Sequence, residues 1–346
     1  MDGPDLANAQ ALAAAVRAMH ADLRSAVLEA LAEQDEAQLR RGDTSAEGDT
    51  VYGIDRVSES ALLDVVARHL AAWLPIVLVA EGLPDVGLGL GTTVIPPAAE
   101  VPRARHWMIV DPIDGTRGLM YGKRSAWILT GVAPATAGRT PRSGDIVVAV
   151  QTEIPPVKQT LADTLWAVRG HGAAGERIDL RDGTTRPLPL SPSGATSLDH
   201  GFGQVMRAFP GGRDVLAAID DDVCLASGGA GTAGRGVTFE DQYICTGGQL
   251  AELVLGHDRW VADLRPLLAP VLARRGLPAP QCAHPYDICT VLVATEAGVV
   301  VTGVDGPLDH GLVLTDDIAW AGYANEAIQA LVQPALDEAI RRHLRP

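Results

Sequence analysis

The sequence WMIVDPIDGTRGLM, residues 107–120, predicts more about the fold than any other stretch of the chain. Its apolar beginning, from Trp107 to Val110, is typical of a buried β-strand. Two carboxylates, Asp111 and Asp114, follow that run, and Pro112 between them removes one backbone amide. We therefore expect the end of this strand to aim two acid side chains into one small volume.

The oxygen atoms at the end of this strand suit a metal ion. Hard divalent cations such as Mg²⁺ prefer carboxylate and carbonyl ligands, which Asp111, Asp114 and the Ile113 backbone offer together. If a helix begins at Gly115 and Thr116, its first amides face the same volume and suit a phosphate group. The bare Asp-x-x-Asp-Gly pattern is explained equally well by an acidic turn after a strand. The full string favours a metal and phosphate site.

The composition of the whole chain limits the classes of function. Its 346 residues are 47% hydrophobic and 4% aromatic, which is enough for a sizeable core in one large domain or two closely joined ones. With 43 acidic and 28 basic residues, the formal net charge is −15. Nucleic acids and anionic membrane surfaces would repel such a chain, so neither is expected as a partner. An acidic protein that binds phosphate esters needs cations to mediate the contact.

The cysteines and the hydropathy pattern predict a cytoplasmic protein. The four cysteines lie mostly among apolar residues and show neither a Cys-x-x-Cys pair nor zinc-ligand spacing, so we expect buried free thiols. The N-terminus lacks the basic-then-apolar pattern of a signal peptide, and no apolar run reaches transmembrane length.

The first part of the chain is predicted to combine helices with an antiparallel sheet. The segments before the first strand are a long amphipathic helix over 6–40, a polar loop over 41–50 and a second helix over about 57–73. Pro75 ends the second helix, and IVLVAEG forms a strand that ends in Glu81. Residues 82–106 are expected to be an irregular connection, and the short apolar runs between 126 and 205 predict the sheet.

After about residue 210 the pattern changes to alternating helices and strands. The expected elements are a helix in GGRDVLAAI, a strand in DVCLA, a helix and then a strand over 239–255, a helix in DICTVLVATEAG and a final helix over 322–343. We therefore expect two halves, an α+β half over 1–205 with the acidic motifs and an α/β half over 206–346 that supplies the last metal ligand and substrate contacts.

Acidic residues elsewhere in the sequence extend the candidate site. Glu81 ends one predicted strand, Asp55 opens the second helix, and Asp287 stands at the expected start of the helix in HPYDICTVLVATEAG. Taken singly, Asp55 and Asp287 are better explained as helix N-caps, each worth about 1 kcal/mol. Glu81 alone is better explained as an ordinary loop acid. Only their combination with the motif at 107–120 points to a shared site.

The order and spacing of these segments resemble the inositol monophosphatase family, which comprises Mg²⁺-dependent, lithium-sensitive phosphatases with fructose bisphosphatases among their relatives. The likeness covers about residues 10–320. The segments that carry it are DTVYGIDRVSE (49–59), VAEG (79–82), WMIVDPIDGT (107–116) and PYDICTVLVATEAGVVVT (285–302). The resemblance implies an α/β (α+β) fold, a layered α-β-α-β-α sandwich, and a homodimer.

The resemblance also implies which residues would hold Mg²⁺. Glu81, Asp111 and the Ile113 carbonyl would hold one ion. Asp111, Asp114 and Asp287 would hold a second. Such a cluster of carboxylates is tolerable only because the cations compensate its charge.

A second set of implied roles concerns the substrate. The groups that would contact it are the side chains of Asp114 and Asp287 and the amides of Gly115 and Thr116. The Thr116 hydroxyl, with Asp55 behind it and Glu81 nearby, would orient and deprotonate the attacking water. The implied chemistry is metal-assisted hydrolysis of a phosphate ester.

The sequence departs from the family pattern beside the site. Gly82 stands where many members have a second Glu, and a segment around 261–284 is inserted before PYD. We choose Asp287 over Asp263 as the last ligand because only Asp287 begins the helix that ends in Glu-Ala-Gly. Apolar Val254 falls near the position of the family's alcohol-binding acid. The resemblance therefore implies the phosphate chemistry but not myo-inositol as the alcohol.

The sequence as a whole favours a Mg²⁺-dependent phosphatase that acts on a phosphate monoester of a small polyol or sugar. Two alternatives are left open. One is a bisphosphate or 3′-nucleotide phosphatase of the same superfamily, and the other is a non-catalytic, metal-dependent binding protein. The presence of every presumed metal ligand favours catalysis over the second alternative.

Overall fold

Two large sheets, with helices on their faces, dominate the described part of the protein. A computed structural model describes residues 6–33, 42–44, 50–83, 89–97, 101–136, 138–229 and 235–344, with the backbone alone for residues 33, 42–44, 50–52 and 55–60. The described helices are α1 (Leu6–Glu33), α2 (Gly53–His69), α3 (Thr116–Met120), α4 (Arg213–Ala226), α5 (Thr246–Val254), α6 (Ala269–Arg274), α7 (Val291–Glu296) and α8 (Glu326–Leu344). Short 3₁₀ helices lie at Ala71–Trp73, Val101–Arg103, Ser143–Asp145 and Arg265–Leu268.

The larger sheet carries the acidic motif. A separate hairpin of β1 (Gly42–Thr44) and β2 (Thr50–Tyr52) precedes it. Its strands are β3 (Ile76–Ala80), β4 (Thr92–Ile95), β5 (His106–Asp114), β6 (Ala126–Pro134), β7 (Val148–Ile154), β8 (Leu161–Val168), β9 (Ala173–Asp179) and β10 (Thr185–Pro187). Their spatial order is β10-β9-β8-β7-β6-β5-β3-β4, with β3 and β5 parallel and the other neighbours antiparallel. The antiparallel sheet predicted between residues 126 and 205 is thus confirmed for β6 to β10.

The smaller sheet comes from the later part of the chain. Its strands are β11 (Gly201–Val205), β12 (Thr238–Phe239), β13 (Asp258–Asp263), β14 (Val300–Gly303) and β15 (Trp320–Tyr323). Their spatial order is β12-β11-β13-β15-β14, and β11 is parallel to both of its neighbours. The pairs β13–β15 and β15–β14 are antiparallel.

Helices and sheets alternate in layers. Helices α1 and α2 pack on one face of the larger sheet, α5 and α7 lie between the two sheets, and α4 and α8 cover the far face of the smaller sheet. Each interface has its own buried apolar cluster. The stripe predicted for α1 is buried at Leu12, Val16, Met19, Leu23 and Val27. The predicted α-β-α-β-α sandwich is therefore confirmed.

Several predicted elements differ from the structure. The helix predicted over 6–40 is described to Glu33, and residues 34–40 lie outside the described residues. The polar loop predicted over 41–50 contributes Gly42–Thr44 and Thr50 to the hairpin, and the connection predicted over 82–106 contains β4, which pairs with β3. The second helix begins at Gly53 rather than at 57.

The predictions for three later segments are also wrong. DVCLA is the end of α4 rather than a strand, because the burial of Leu216, Ile219 and Val223 on one helical stripe outweighs the local preference for a strand. In the segment 239–255 the helix α5 comes last instead of first. The segment predicted as one final helix begins with the end of β15.

The cysteines are free, as predicted, although Cys224 is only half-buried. Within the described ranges, no helix has both the length and the apolar character needed to cross a membrane.

Candidate metal centre

One cavity of about 110 Å³ gathers most of the residues predicted for the site. The predicted residues that line it are Glu81, Asp111, Ile113, Asp114, Gly115, Thr116 and Asp287. They come from the ends of β3 and β5, from the start of α3 and from the turn that precedes α7. Residues far apart in sequence thus share one wall of polar groups, while the role of each stays a prediction.

The pairing of strands explains how three of the acids meet. Parallel β3 and β5 set Ala80 opposite Val110, so the residues that follow them, Glu81 and Asp111, stand side by side. Between Asp111 and Asp114 the register with β6 shifts, because three steps along β5 match only two steps along β6. In a regular strand, residues three apart face opposite sides. The extra residue of this bulge brings the Asp114 side chain back to the side of Asp111.

The acidic cluster is compact, with Asp111 and Asp114 buried and Asp287 half-buried. Carboxylate oxygens of Asp111, Asp114 and Asp287 all lie within 4.8 Å of one another. Burial raises the pKa of Asp111 well above its ordinary value, and the charges of Asp114, Asp287 and Glu81 raise it further. Burial and the charge of Asp287 likewise raise the pKa of Asp114. When these carboxylates are charged they repel one another, and a bound cation would offset that repulsion.

Backbone amides hold two of these carboxylates in place. The Gly247 amide, in the first turn of α5, donates to Asp114 Oδ2 at 2.6 Å. The Ile113 amide donates to Asp111 Oδ1 at 2.9 Å. Each of these bonds orients one oxygen of a carboxylate, so the position of the cluster is fixed by the backbone.

Asp287 is fixed by a turn rather than by a helix start. Its Oδ2 accepts a hydrogen bond from the His284 amide at 2.6 Å. The prediction that Asp287 begins the helix is wrong, since α7 begins at Val291 and a turn separates the two. The apolar helix still packs between the sheets, where Leu292 and Val293 are buried, so the turn has a rigid support.

The turn after β5 depends on a glycine. Gly115 has a φ of 96°, and a Cβ added there would lie 2.9 Å from Cys245 Cβ. The left-handed conformation and this close approach both favour glycine. Helix α3 then begins at Thr116, as the sequence predicted, and the Thr116 hydroxyl donates to the Ile113 carbonyl at 3.0 Å.

Comparison with solved structures identifies this architecture. The chain aligns with the extragenic suppressor protein suhB from Bartonella henselae at a TM-score of 0.63 and 17% identity, over 95% of this chain and 99% of that one. An inositol monophosphatase from Anabaena aligns at a TM-score of 0.56 and 14% identity, over 97% of each chain. The chain has the inositol monophosphatase fold. The fructose-1,6-bisphosphatase of Leishmania major also aligns, at a TM-score of 0.63 and 13% identity, over 99% of this chain and 96% of that one.

These similarities are structural. No protein-family sequence model matches the chain, and no curated protein does so either. The fold implied by the resemblance in the sequence is confirmed, while the roles of individual residues stay predictions.

Asp55 and Asp263 are the remaining acidic residues that the sequence analysis considered for the site. The side chain of Asp55 lies outside the described residues. Asp263, the alternative to Asp287, is fully buried at the end of β13 and does not line the cavity. Its carboxylate accepts hydrogen bonds from Arg265, at 2.9 Å from Nε and 2.5 Å from Nη2. The structure thus places Asp287, and not Asp263, beside Asp111 and Asp114.

The sequence did not single out several residues that line the cavity. Arg265 belongs to the inserted segment and Arg117 follows directly after Thr116, and both guanidinium groups lie close to the ring of Phe209. Gln249 also lines the cavity, and its side-chain nitrogen donates to the Tyr243 carbonyl at 2.7 Å. The sequence could have indicated Arg117, because it directly follows the Asp-Gly-Thr string. It could not have indicated Arg265, because the position of Arg265 depends on how the segment around 261–284 folds.

The residues present fit a hard divalent cation. The donor set consists of carboxylate oxygens and the Ile113 carbonyl, which Mg²⁺ prefers over softer ligands. Burial, and after it the charges of the neighbouring carboxylates, raises the pKa of Asp111 and Asp114, and a bound cation would favour their charged forms. No cysteine thiolate competes for such an ion here, because burial raises the pKa of the neighbouring Cys245 and Cys289 thiols.

Proposed function

We propose that this protein is a Mg²⁺-dependent phosphatase that hydrolyses a phosphate monoester of a small polyol or sugar. The observation that carries the proposal is the convergence of Asp111, Asp114 and Asp287 within 4.8 Å at a buried cavity. The alignment of almost the whole chain with an inositol monophosphatase and a fructose-1,6-bisphosphatase supports it.

The acidic residues would hold the cations. Glu81, Asp111 and the Ile113 carbonyl would bind one Mg²⁺, and Asp111, Asp114 and Asp287 would bind a second. When bound, the ions would offset the charge of the carboxylates and polarise the phosphate ester. The hydrogen bonds from the amides of Gly247 and His284 would hold the carboxylates of Asp114 and Asp287 in position for this task.

Other groups on the same wall would act on the phosphate and on water. The amides of Gly115 and Thr116 would bind the phosphate oxygens, because they stand at the beginning of α3. The Thr116 hydroxyl would orient the attacking water, and the resemblance in the sequence gives Asp55 a catalytic role beside it as well. Glu81, a carboxylate that lines the same cavity, would accept the proton of that water.

One experiment distinguishes the proposed function from the alternative of a bisphosphate or 3′-nucleotide phosphatase. Purified protein would be tested for phosphate release from inositol phosphates, hexose phosphates, glycerol phosphate and nucleotides with a 3′-phosphate, each with Mg²⁺ and with a chelator. Release from a sugar or polyol phosphate with Mg²⁺ alone supports the proposal. Preference for a nucleotide or a bisphosphate favours the neighbouring branch of the superfamily.

The non-catalytic alternative needs a control for contaminating phosphatases. The Asp111→Asn variant, prepared identically, should release no phosphate above background, because Asp111 belongs to both proposed ion sites. If the wild-type protein binds Mg²⁺ in a direct titration but releases phosphate from none of the esters, it is a metal-dependent binding protein instead.

The remaining expectations from the sequence are also proposals. We propose a homodimer in the cytoplasm, with residues 1–205 and 206–346 as two halves that both contribute to the cavity. Gel filtration with light scattering would test the oligomeric state.

A further inference from the structure

The first turn of α5 lies against the acidic cluster and contains two consecutive glycines, Gly247 and Gly248. The Gly247 amide donates to Asp114 Oδ2 at 2.6 Å. A Cβ added at Gly247 would lie 2.4 Å from Leu129 Cδ2, and one added at Gly248 would lie 2.3 Å from Tyr243 Cε1. Larger residues therefore do not fit, and the turn consists of the residue type with the greatest backbone freedom. Groups outside the turn must fix its position.

Gln151 provides one of these outside contacts. It lies fully buried in the middle of β7, and its side-chain nitrogen donates to the Gly247 carbonyl at 3.3 Å. The amide of the same glycine donates to Asp114. A side chain of the larger sheet is thus linked, through a single glycine, to a carboxylate of the acidic cluster.

Stability alone does not account for a glutamine at this position. The side-chain oxygen of Gln151 is buried, and no group among the described residues donates to it. Its neighbours across the sheet, Leu129 on β6 and Leu165 on β8, are buried and apolar. A buried amide adds stability only when its polar atoms find partners. Methionine, which is unbranched and of similar size, would fill the same space without a polar atom.

Tyr243 supports the same turn, and its own position is fixed from β6. Its carbonyl accepts a hydrogen bond from Gln249 Nε2 at 2.7 Å. Its hydroxyl accepts one from Trp127 Nε1 at 3.1 Å and donates to the Ser125 carbonyl at 2.7 Å. Trp127 lies opposite Asp114 in the pairing of β6 with β5. The contacts that fix the turn therefore lead back to the strand that carries Asp114.

We propose that Gln151 and Tyr243 are positioning residues of the metal centre, which fix the first turn of α5 so that the Gly247 amide holds the Asp114 carboxylate in place for a cation. This role rests on the proposed function, because it takes Asp114 as a Mg²⁺ ligand. Neither side chain lines the cavity, so both act through the backbone of the turn. Loss of a group that orients a metal ligand from behind typically weakens metal affinity by about 10–100-fold.

Gln151→Met distinguishes a positioning role from a structural one. Titration calorimetry of the full chain with Mg²⁺ would give the dissociation constant, and thermal unfolding in chelator would give Tm. For a positioning residue, the dissociation constant should rise by about tenfold or more, while Tm in chelator stays equal or increases because no polar atom is left unpaired. A merely structural glutamine would lower Tm in chelator and leave the dissociation constant of the folded protein unchanged, and that result would overturn the inference.

A second variant and two matched controls complete the design. Tyr243→Phe keeps the ring but removes both hydrogen bonds of the hydroxyl, so it should also raise the dissociation constant for Mg²⁺. Gln204→Met and Tyr323→Phe make the same replacements at buried residues of the smaller sheet, on β11 and β15. Neither of these two residues lines the cavity, so both controls should bind Mg²⁺ as tightly as wild type.

The binding data also separate this inference from the proposed function. If wild type binds Mg²⁺ and both Gln151→Met and Tyr243→Phe bind it equally tightly, the positioning role is overturned and the phosphatase assignment stands. If the two controls weaken Mg²⁺ binding as much as Gln151→Met does, the effect is not specific to the α5 turn and the inference fails as well. A wild-type protein that binds no Mg²⁺ would overturn both the positioning role and the proposed function.

Discussion

Replacing Asp114 with asparagine tests whether this carboxylate is kept for metal binding at a cost in stability. Asp114 is buried, and its Oδ2 accepts a hydrogen bond from the Gly247 amide. An asparagine oxygen can accept the same bond in nearly the same volume, so the fold should survive. The variant removes one of three charges that lie within 4.8 Å of one another.

The magnitude follows from that distance. Two unit charges 4.8 Å apart repel each other by about 3.5 kcal/mol at an effective dielectric constant of about 20. Protons taken up by groups with raised pKa relieve part of this repulsion, so we expect Asp114→Asn to gain about 1–2 kcal/mol in chelator. For a chain of this length that gain raises Tm by roughly 1–3 °C. Turnover with Mg²⁺ should fall by about a hundredfold or more.

Thermal unfolding in chelator and in Mg²⁺ is the assay. Mg²⁺ should raise the Tm of wild type, because an ion that binds only the folded state stabilises it, and it should raise that of Asp114→Asn much less. Asp258→Asn is the matched control, since Asp258 is also a buried acid but lies at the start of β13, away from the cavity. Equal Mg²⁺ shifts in wild type and Asp114→Asn, with near-normal turnover, would refute the metal assignment.

Three further predictions test other parts of the structure. Asp287→Asn should raise the Mg²⁺ concentration needed for half-maximal activity, whereas Asp263→Asn should leave that concentration unchanged. Asp263→Asn should instead lower the free energy of unfolding in urea by about 3–5 kcal/mol, because it leaves the buried Arg265 without its ion-pair partner. The reverse pattern would show that the ligands are assigned wrongly. Burial raises the pKa of Asp258 from 3.8 to about 7. The folded state then binds this proton more tightly, so wild-type stability should fall relative to Asp258→Asn as the pH rises from 4 to 7, and parallel stability curves would contradict this. Gly115→Ala should lower Tm, since a left-handed alanine costs about 1–2 kcal/mol before any clash, and an unchanged Tm would show that the turn adapts.

The sequence predicted those parts of the site that one short string determines. The apolar run, the two acids and Gly-Thr follow one another directly, so the strand and the helix start are local consequences of WMIVDPIDGT, whereas the bulge was first seen in the structure. The strand that delivers Glu81 was visible for the same reason. The layered fold came from the resemblance rather than from periodicity, which gave a strand for DVCLA where the chain continues α4.

The residues that the sequence missed depend on tertiary packing. Arg265 reaches the cavity because buried leucines of the inserted segment anchor it behind the smaller sheet, and nothing in the local sequence fixes that path. Asp263 stands between two arginines in the sequence, and the structure buries it fully in an ion pair with one of them. A buried ion pair looks like a polar loop in the sequence, because the charge of a residue does not tell whether its side chain is buried.

The most direct test of the central claim is a Mg²⁺ titration of phosphate release from p-nitrophenyl phosphate by thoroughly dialysed protein. We predict no release above background in excess chelator, recovery when Mg²⁺ is restored, and inhibition by lithium. An undiminished rate in chelator would contradict the claim that these buried carboxylates act through a metal ion.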